Sequence, residues 1–144
     1  MKRFSRIVCM LLAVVMVFAA PAAAIENENS RASNFFMSSD VYLYQTTSTQ
    51  FRVWFEVSAL GGMDKLGASE IKVQRSSDNE NWTTMKTYTM DSYSNMICEN
   101  TGAHASYVTY TGQTGYYYRA KITLYAENSS GFGEWDRTTS SILL

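Results

Sequence analysis

The chain has 144 residues, with 12 Lys+Arg, 13 Asp+Glu, one His and a hydrophobic share of 46%. Its near-neutral charge, with no group of cations beyond the first six residues, excludes a nucleic-acid-binding surface, which needs clustered Lys and Arg against phosphates.

Lys2, Arg3 and Arg6 supply a positive start, and the run from Ile7 to Ala20 is apolar and uncharged. At 14 residues that run is short of the roughly 20 needed to span a bilayer, and it ends in Pro21 and small residues, the order of features in a secretory signal peptide. Cleavage is expected after Ala24, with Ala22 as the second choice and an uncleaved anchor helix as the alternative. Cys9 lies at the start of the apolar run, the wrong end for lipid attachment. Removing residues 1–24 leaves 9 Lys+Arg against 13 Asp+Glu, a net charge of −4. The expected organisation is a signal peptide (1–24), a polar leader (25–38) and one domain (39–144), secreted and without stable membrane insertion after cleavage. Only Cys98 then remains, so no intramolecular disulfide forms and packing alone must hold the core. A tucked, inert thiol is the expected state, with an intermolecular disulfide as the alternative.

The rest of the chain is rich in Tyr, Thr, Val, Ile, Phe and Trp, and its one Pro lies in the signal segment. Phe51, Val53, Phe55, Val57 and Ala59 alternate with Arg52, Trp54, Glu56 and Ser58, the period of a strand with one face buried. Tyr116, Tyr118, Ala120, Ile122 and Leu124 alternate in the same way with Tyr117, Arg119, Lys121, Thr123 and Tyr125. Further strands are expected over 41–44, 71–75, 82–90, 106–110 and 136–143. Turn signals separate them at Gly61-Gly62, Ser77-Asp78-Asn79, Thr101-Gly102, Gly112 to Gly115 and Asn128 to Gly133. About seven strands at this spacing predict an all-β fold, a single antiparallel β-sandwich.

The stretch IKVQRSSDNENWTTM (71–85) followed by TGYYYRAKITLYAENSSGFGEWDRTTSS (114–141) resembles a bacterial fibronectin type III domain. The likeness lies in Ser77-Asp78 ahead of Trp82, a Tyr opening the next-to-last strand, and Asn-Ser-x-Gly-x-Gly before Trp135. It implies an immunoglobulin-like sandwich in which Tyr116 is the tyrosine-corner residue, its hydroxyl bonded to nearby backbone. It also implies that Trp135 begins the last strand and stacks on Arg119 or Lys121. The sequence departs from that pattern in having Tyr110 where a Leu would stand and in placing Trp54 on the outward phase. As a whole the chain is similar to small secreted proteins of gut Firmicutes, a family of unknown function.

No constellation in the sequence points to catalysis. His104 follows Cys98 by six residues, but no third group is placed to orient a Cys–His nucleophile. The acids are scattered, so no metal site is expected. Asp78-Asn79-Glu80-Asn81 lacks the Gly and closing Glu of a calcium loop and reads as a hairpin turn. Asn81-Trp82-Thr83 and Asn128-Ser129-Ser130 match the glycosylation pattern and are explained by turn composition. No cofactor motif occurs.

The expected function is that of a non-catalytic binding module for a glycan, a cell-envelope component or a protein, with no nucleic-acid partner. A bacteriocin-like toxin is the alternative, and the missing acid/base constellation argues against a small hydrolase. The expected recognition face carries Tyr117, Tyr125, Lys72 and Gln74, bordered by Trp82, in preference to the other outward face with its isolated Trp54.

Overall fold

The computed structural model describes residues 34–144, so the signal segment and residues 25–33 of the leader lie outside the described residues. The elements in chain order are β1 (Phe36–Gln45), β2 (Gln50–Ser76), β3 (Thr83–Thr89), a single 3-10 turn (Ser94–Met96), β4 (Ile97–Thr111), β5 (Tyr117–Asn128), β6 (Gly131–Thr138) and β7 (Ile142–Leu143). All pairings are antiparallel and join the seven strands into one sheet, curled into a half-barrel. Among the described residues no helix is long and apolar enough to cross a membrane.

The sheet is organised by β2, which runs unbroken for 27 residues. Its first part, Phe51 to Ser58, lies between β1 and β4. Its last part, Glu70 to Ser76, lies between β3 and β5. The expected turns at Gly61-Gly62 and Thr101-Gly102 are therefore both interior to strands. Ser58 pairs with Ala103, and the next pair is Met63 with Thr101, so four residues of β2 bulge opposite one of β4. Such a bulge bends a strand and sharpens its twist without ending it. Gly61 sits there at φ 101, and a Cβ on Gly102 would come within 3.3 Å of the Gly61 carbonyl oxygen. The glycines thus turn a corner rather than close a hairpin, and the chain patterned as two strands is one.

Two further expectations shift. β1 begins at Phe36, inside the expected leader, and the expected last strand is split into β6 and β7. The split falls at Thr139, where the hydroxyl accepts the Ala120 N–H at 3.0 Å in place of a ladder partner.

Alternation on β2 and β5 supplies the core. Phe51, Val53, Phe55, Val57, Leu66, Ile71 and Val73 of β2 meet Tyr118, Ala120, Ile122 and Leu124 of β5, all buried. Each large side chain so removed from water contributes about 1.5–3 kcal/mol before entropy is counted. The curl is fastened on two sides. Phe36 of β1 lies 5.8 Å from Trp135 of β6, ring to ring, and the Tyr88 hydroxyl of β3 donates to the Thr109 carbonyl of β4 at 2.8 Å.

The Tyr expected to bond back to the backbone is displaced by two positions. Tyr118, not Tyr116, accepts the Gln113 N–H at 2.8 Å. Gly112 makes room for it, because a Cβ there would lie 2.7 Å from Tyr118 Cζ and 2.8 Å from Leu144 Cδ1. Tyr116 instead receives the Arg75 guanidinium over its ring at 4.5 Å. Tyr118 wins because the inward phase of β5 is even-numbered from 118 onward, and Tyr116 precedes the strand.

The 3-10 turn crosses β2 at Gly67, where any Cβ would fall on the Met96 carbonyl oxygen and 3.0 Å from Ile97 Cα. Backbone cannot yield there as a side chain would. Gly67→Ala is expected to cost about 2 kcal/mol or more, as overpacking does, whereas Gly62→Ala, with nothing within 4 Å of its Cβ, is expected to change stability by less than about 0.5 kcal/mol. Urea denaturation of both variants checks the contrast.

Candidate functional site

The residues expected to form one recognition face share the outer side of β2 and β5 but do not form one patch. Tyr117 and Tyr125 lie eight residues apart on β5, about 26 Å at 3.3 Å per residue. Tyr117 stands opposite Ser76 and Leu143. Tyr125 stands opposite Gly67, with its ring 5.9 Å from Phe132 and its hydroxyl donating to Glu127 at 2.6 Å. Between them Lys72 faces Lys121 and Gln74 faces Arg119.

Trp82, Gln74 and Arg119 do come together, as a closed set of contacts. The Arg119 guanidinium lies 4.3 Å over the Trp82 ring, its Nε donates to Gln74 Oε1 at 2.9 Å, and Gln74 Nε2 donates to Thr84 Oγ1 at 3.3 Å. Arg119 therefore stacks on Trp82 and not on Trp135. The expected ladder is corrected: Trp135 pairs with Leu124, turns inward against Phe36, and takes Arg137 over its ring at 4.8 Å. Its phase on β6 follows from pairing with a core residue.

The outer face of the other end of the sheet holds what the sequence did not assemble. Register places Tyr42 of β1, Trp54 of β2 and Tyr107 of β4 side by side. The rings form a row across three strands, Tyr42 to Trp54 at 6.2 Å and 22° between planes, Trp54 to Tyr107 at 5.7 Å and 13°. Trp54 is not isolated. The row above it reads Tyr44, Arg52, Thr109, and the row below Asp40, Glu56, Ala105. The Arg52 guanidinium caps Tyr107 at 4.2 Å. Tyr42 and Tyr44 remain 43% and 59% exposed. The signal available in the sequence was the outward phase of Trp54. Its partners come from strands 12 and 53 residues away in the chain, and only the register reveals them.

Neither half of the Cys–His pair is placed to act on the other. Cys98 pairs with Leu66 and His104 with Val57, six residues apart along β4, about 20 Å on an extended strand. His104 Nε2 lies 3.0 Å from the Asn95 carbonyl, and its ring packs 5.7 Å from Phe55. Among the described residues no three His, Cys, Asp or Glu side chains gather as a metal site. The loop after β2 is tied by Asp78, whose Oδ1 accepts the Glu80 and Asn81 N–H groups at 2.9 and 2.8 Å and whose Oδ2 accepts Asn81 Nδ2 at 2.6 Å. Those donors hold its carboxyl well below the usual carboxylate range, with the Asn81 backbone bond the largest cause. Every oxygen is occupied from within the loop, as a hairpin turn requires. At the β5–β6 turn, Asn128 Oδ1 accepts the Ser130 N–H at 2.8 Å.

The sequence matches no known family model and no curated protein. Its functional reading therefore rests on the geometry of these faces.

Burial pushes two tyrosines up to about 12 from 10.0: Tyr88, assisted by Tyr93 and Tyr110, and Tyr125, assisted by its bond to Glu127. A phenol whose folded value is raised gives stability that is complete below pH 10.0 and lost as pH rises toward about 12. Ultraviolet titration should show two late phenols near pH 12, and Tyr125→Phe should remove one of them. Uniform titration near pH 10 would contradict the placement of both hydroxyls.

Proposed function

We propose that this chain is an exported, non-catalytic recognition domain of the fibronectin type III kind, and that it binds through the outer face of β1, β2 and β4. The positive start, short apolar run and small-residue site at its N-terminus support export. Strand neighbours support the sandwich reading: β1–β2–β4 at one end and β3–β2–β5–β6 at the other are the two sets that the resemblance implies, with the tyrosine corner supplied by Tyr118. In this reading the second and third strands of the sandwich are the two parts of β2.

One observation carries the choice of face, the row Tyr42–Trp54–Tyr107. Aromatic side chains with two rotatable bonds offer large contact area at little entropic cost, and Trp, Tyr and Arg dominate recognition hot spots. The face around Lys72 and Lys121 offers less, because its Trp82 and Arg119 already satisfy one another.

Capture from cell-envelope and mucus extracts tests the choice. Trp54→Ala is expected to weaken retention on the order of tenfold or more, as loss of a central anchor does, while the Tyr117→Ala/Tyr125→Ala double variant retains it, with each fold checked by circular dichroism. Loss in the double variant with full retention by Trp54→Ala would place recognition on the β2–β5 face instead.

A further inference from the structure

The composition of the Trp54 face narrows its ligand. Its outward positions in the rows from Gln50 to Ser58 carry aromatic rings, hydroxyls, an amide and charges, and no aliphatic side chain larger than Ala103 and Ala105. The exposed Met37 and Leu60 lie past the Ser58 row, away from the rings. Protein-binding cores are depleted in Asp, Glu and Ser, and all three stand here. Pyranose rings fit better, since their C–H faces pack on aromatic rings and their hydroxyls require short polar partners.

The row below the rings adds a sign. Asp40 and Glu56 are directly opposed on neighbouring strands, both exposed. Like charges so placed repel, and among the described residues neither carboxylate has an ion-pair partner; the ion pairs there are Lys65–Glu127 and Lys72–Glu70. A cation held beside the aromatic row gains from both the carboxylates and the ring faces.

Resting on the reading of this face as the recognition surface, we propose that the ligand is a polysaccharide bearing free amino groups, its sugar rings against Tyr42 and Trp54 and its ammonium groups at Asp40 and Glu56. Arg52, at the opposite edge of the row, disfavours the reversed placement.

Titration calorimetry of the purified protein with the β-1,4-linked glucosamine hexamer and with its N-acetylated counterpart tests this. The free-amine hexamer is expected to bind about tenfold tighter or more at low salt, with the margin shrinking as salt screens the contact. Asp40→Asn/Glu56→Gln, which alters only exposed side chains, is expected to bring the two sugars within about threefold while keeping the N-acetylated affinity. Trp54→Ala is expected to abolish binding of both. Equal binding of the two hexamers by the unaltered protein would overturn the proposal. So would failure of both hexamers while a Lys/Arg-rich peptide binds and is lost in Trp54→Ala, a result that leaves the face as the recognition surface and makes the ligand a protein. Sugar binding untouched by Trp54→Ala would overturn the ligand assignment and the face together.

Discussion

Every other long strand of this domain except β6 hydrogen-bonds to β2. The constraint is severe, because a single strand must expose one edge to β1 and the other to β4, turn through a corner, and then present its edges to β3 and β5. A regular strand cannot do so, as its side chains alternate strictly and its pleat resists sharp bending. The chain meets the demand with successive irregularities. Residues 59–62 bulge opposite Gly102 and Ser69 is the extra residue between Ala68 and Glu70, while beside Val73 and Gln74 the extra residue, Met85, belongs to β3. Gly67 lets the 3-10 turn pass against the strand backbone. Buried apolar side chains follow this path, running 51, 53, 55, 57 and 59, then 63, 66 and 68, then 71 and 73.

The outer faces follow from this path. With the odd-numbered side chains of the first part of β2 committed to the core, Arg52, Trp54 and Glu56 must face outward. Pairing then sets Tyr42 and Tyr107 beside the indole. Past the corner the same strand turns Lys72 and Gln74 outward beside Lys121 and Arg119. Cross-strand aromatic pairs contribute about 0.2–1 kcal/mol each, so the Trp54 row stabilises the sheet while leaving rings accessible. Around Arg119 the cation–π contact and the bond to Gln74 close the surface on itself.

Alternation was the legible part of the sequence. The strands around Phe51–Ala59 and Tyr118–Leu124, the all-β class and the hairpin after Asp78 all rest on local patterns that tertiary packing had no reason to override. The corner was not legible, because Gly61-Gly62 and Thr101-Gly102 read locally as turns, and only their approach across two strands shows them to be a paired bend. Tyr116 and Tyr118 both lie on the same alternating set, so which hydroxyl bonds the Gln113 backbone depends on the position of Gly112 and the start of β5. The phase of Trp135 is not legible locally because it depends on which residue of β5 it opposes, and that residue is the buried Leu124. The aromatic row was hidden for the same reason, as no local window contains Tyr42, Trp54 and Tyr107.

Native-state hydrogen exchange along β2 tests the dependence on this strand directly. If one continuous strand joins both ends of the sheet, backbone amides of Val53 to Val57 and of Ile71 to Val73 should open only with global unfolding and share one free energy and one denaturant dependence. Amides of Val53 to Val57 exchanging through a separate, lower-energy opening while those of Ile71 to Val73 stay protected would contradict it, showing two units hinged at Gly61-Gly62.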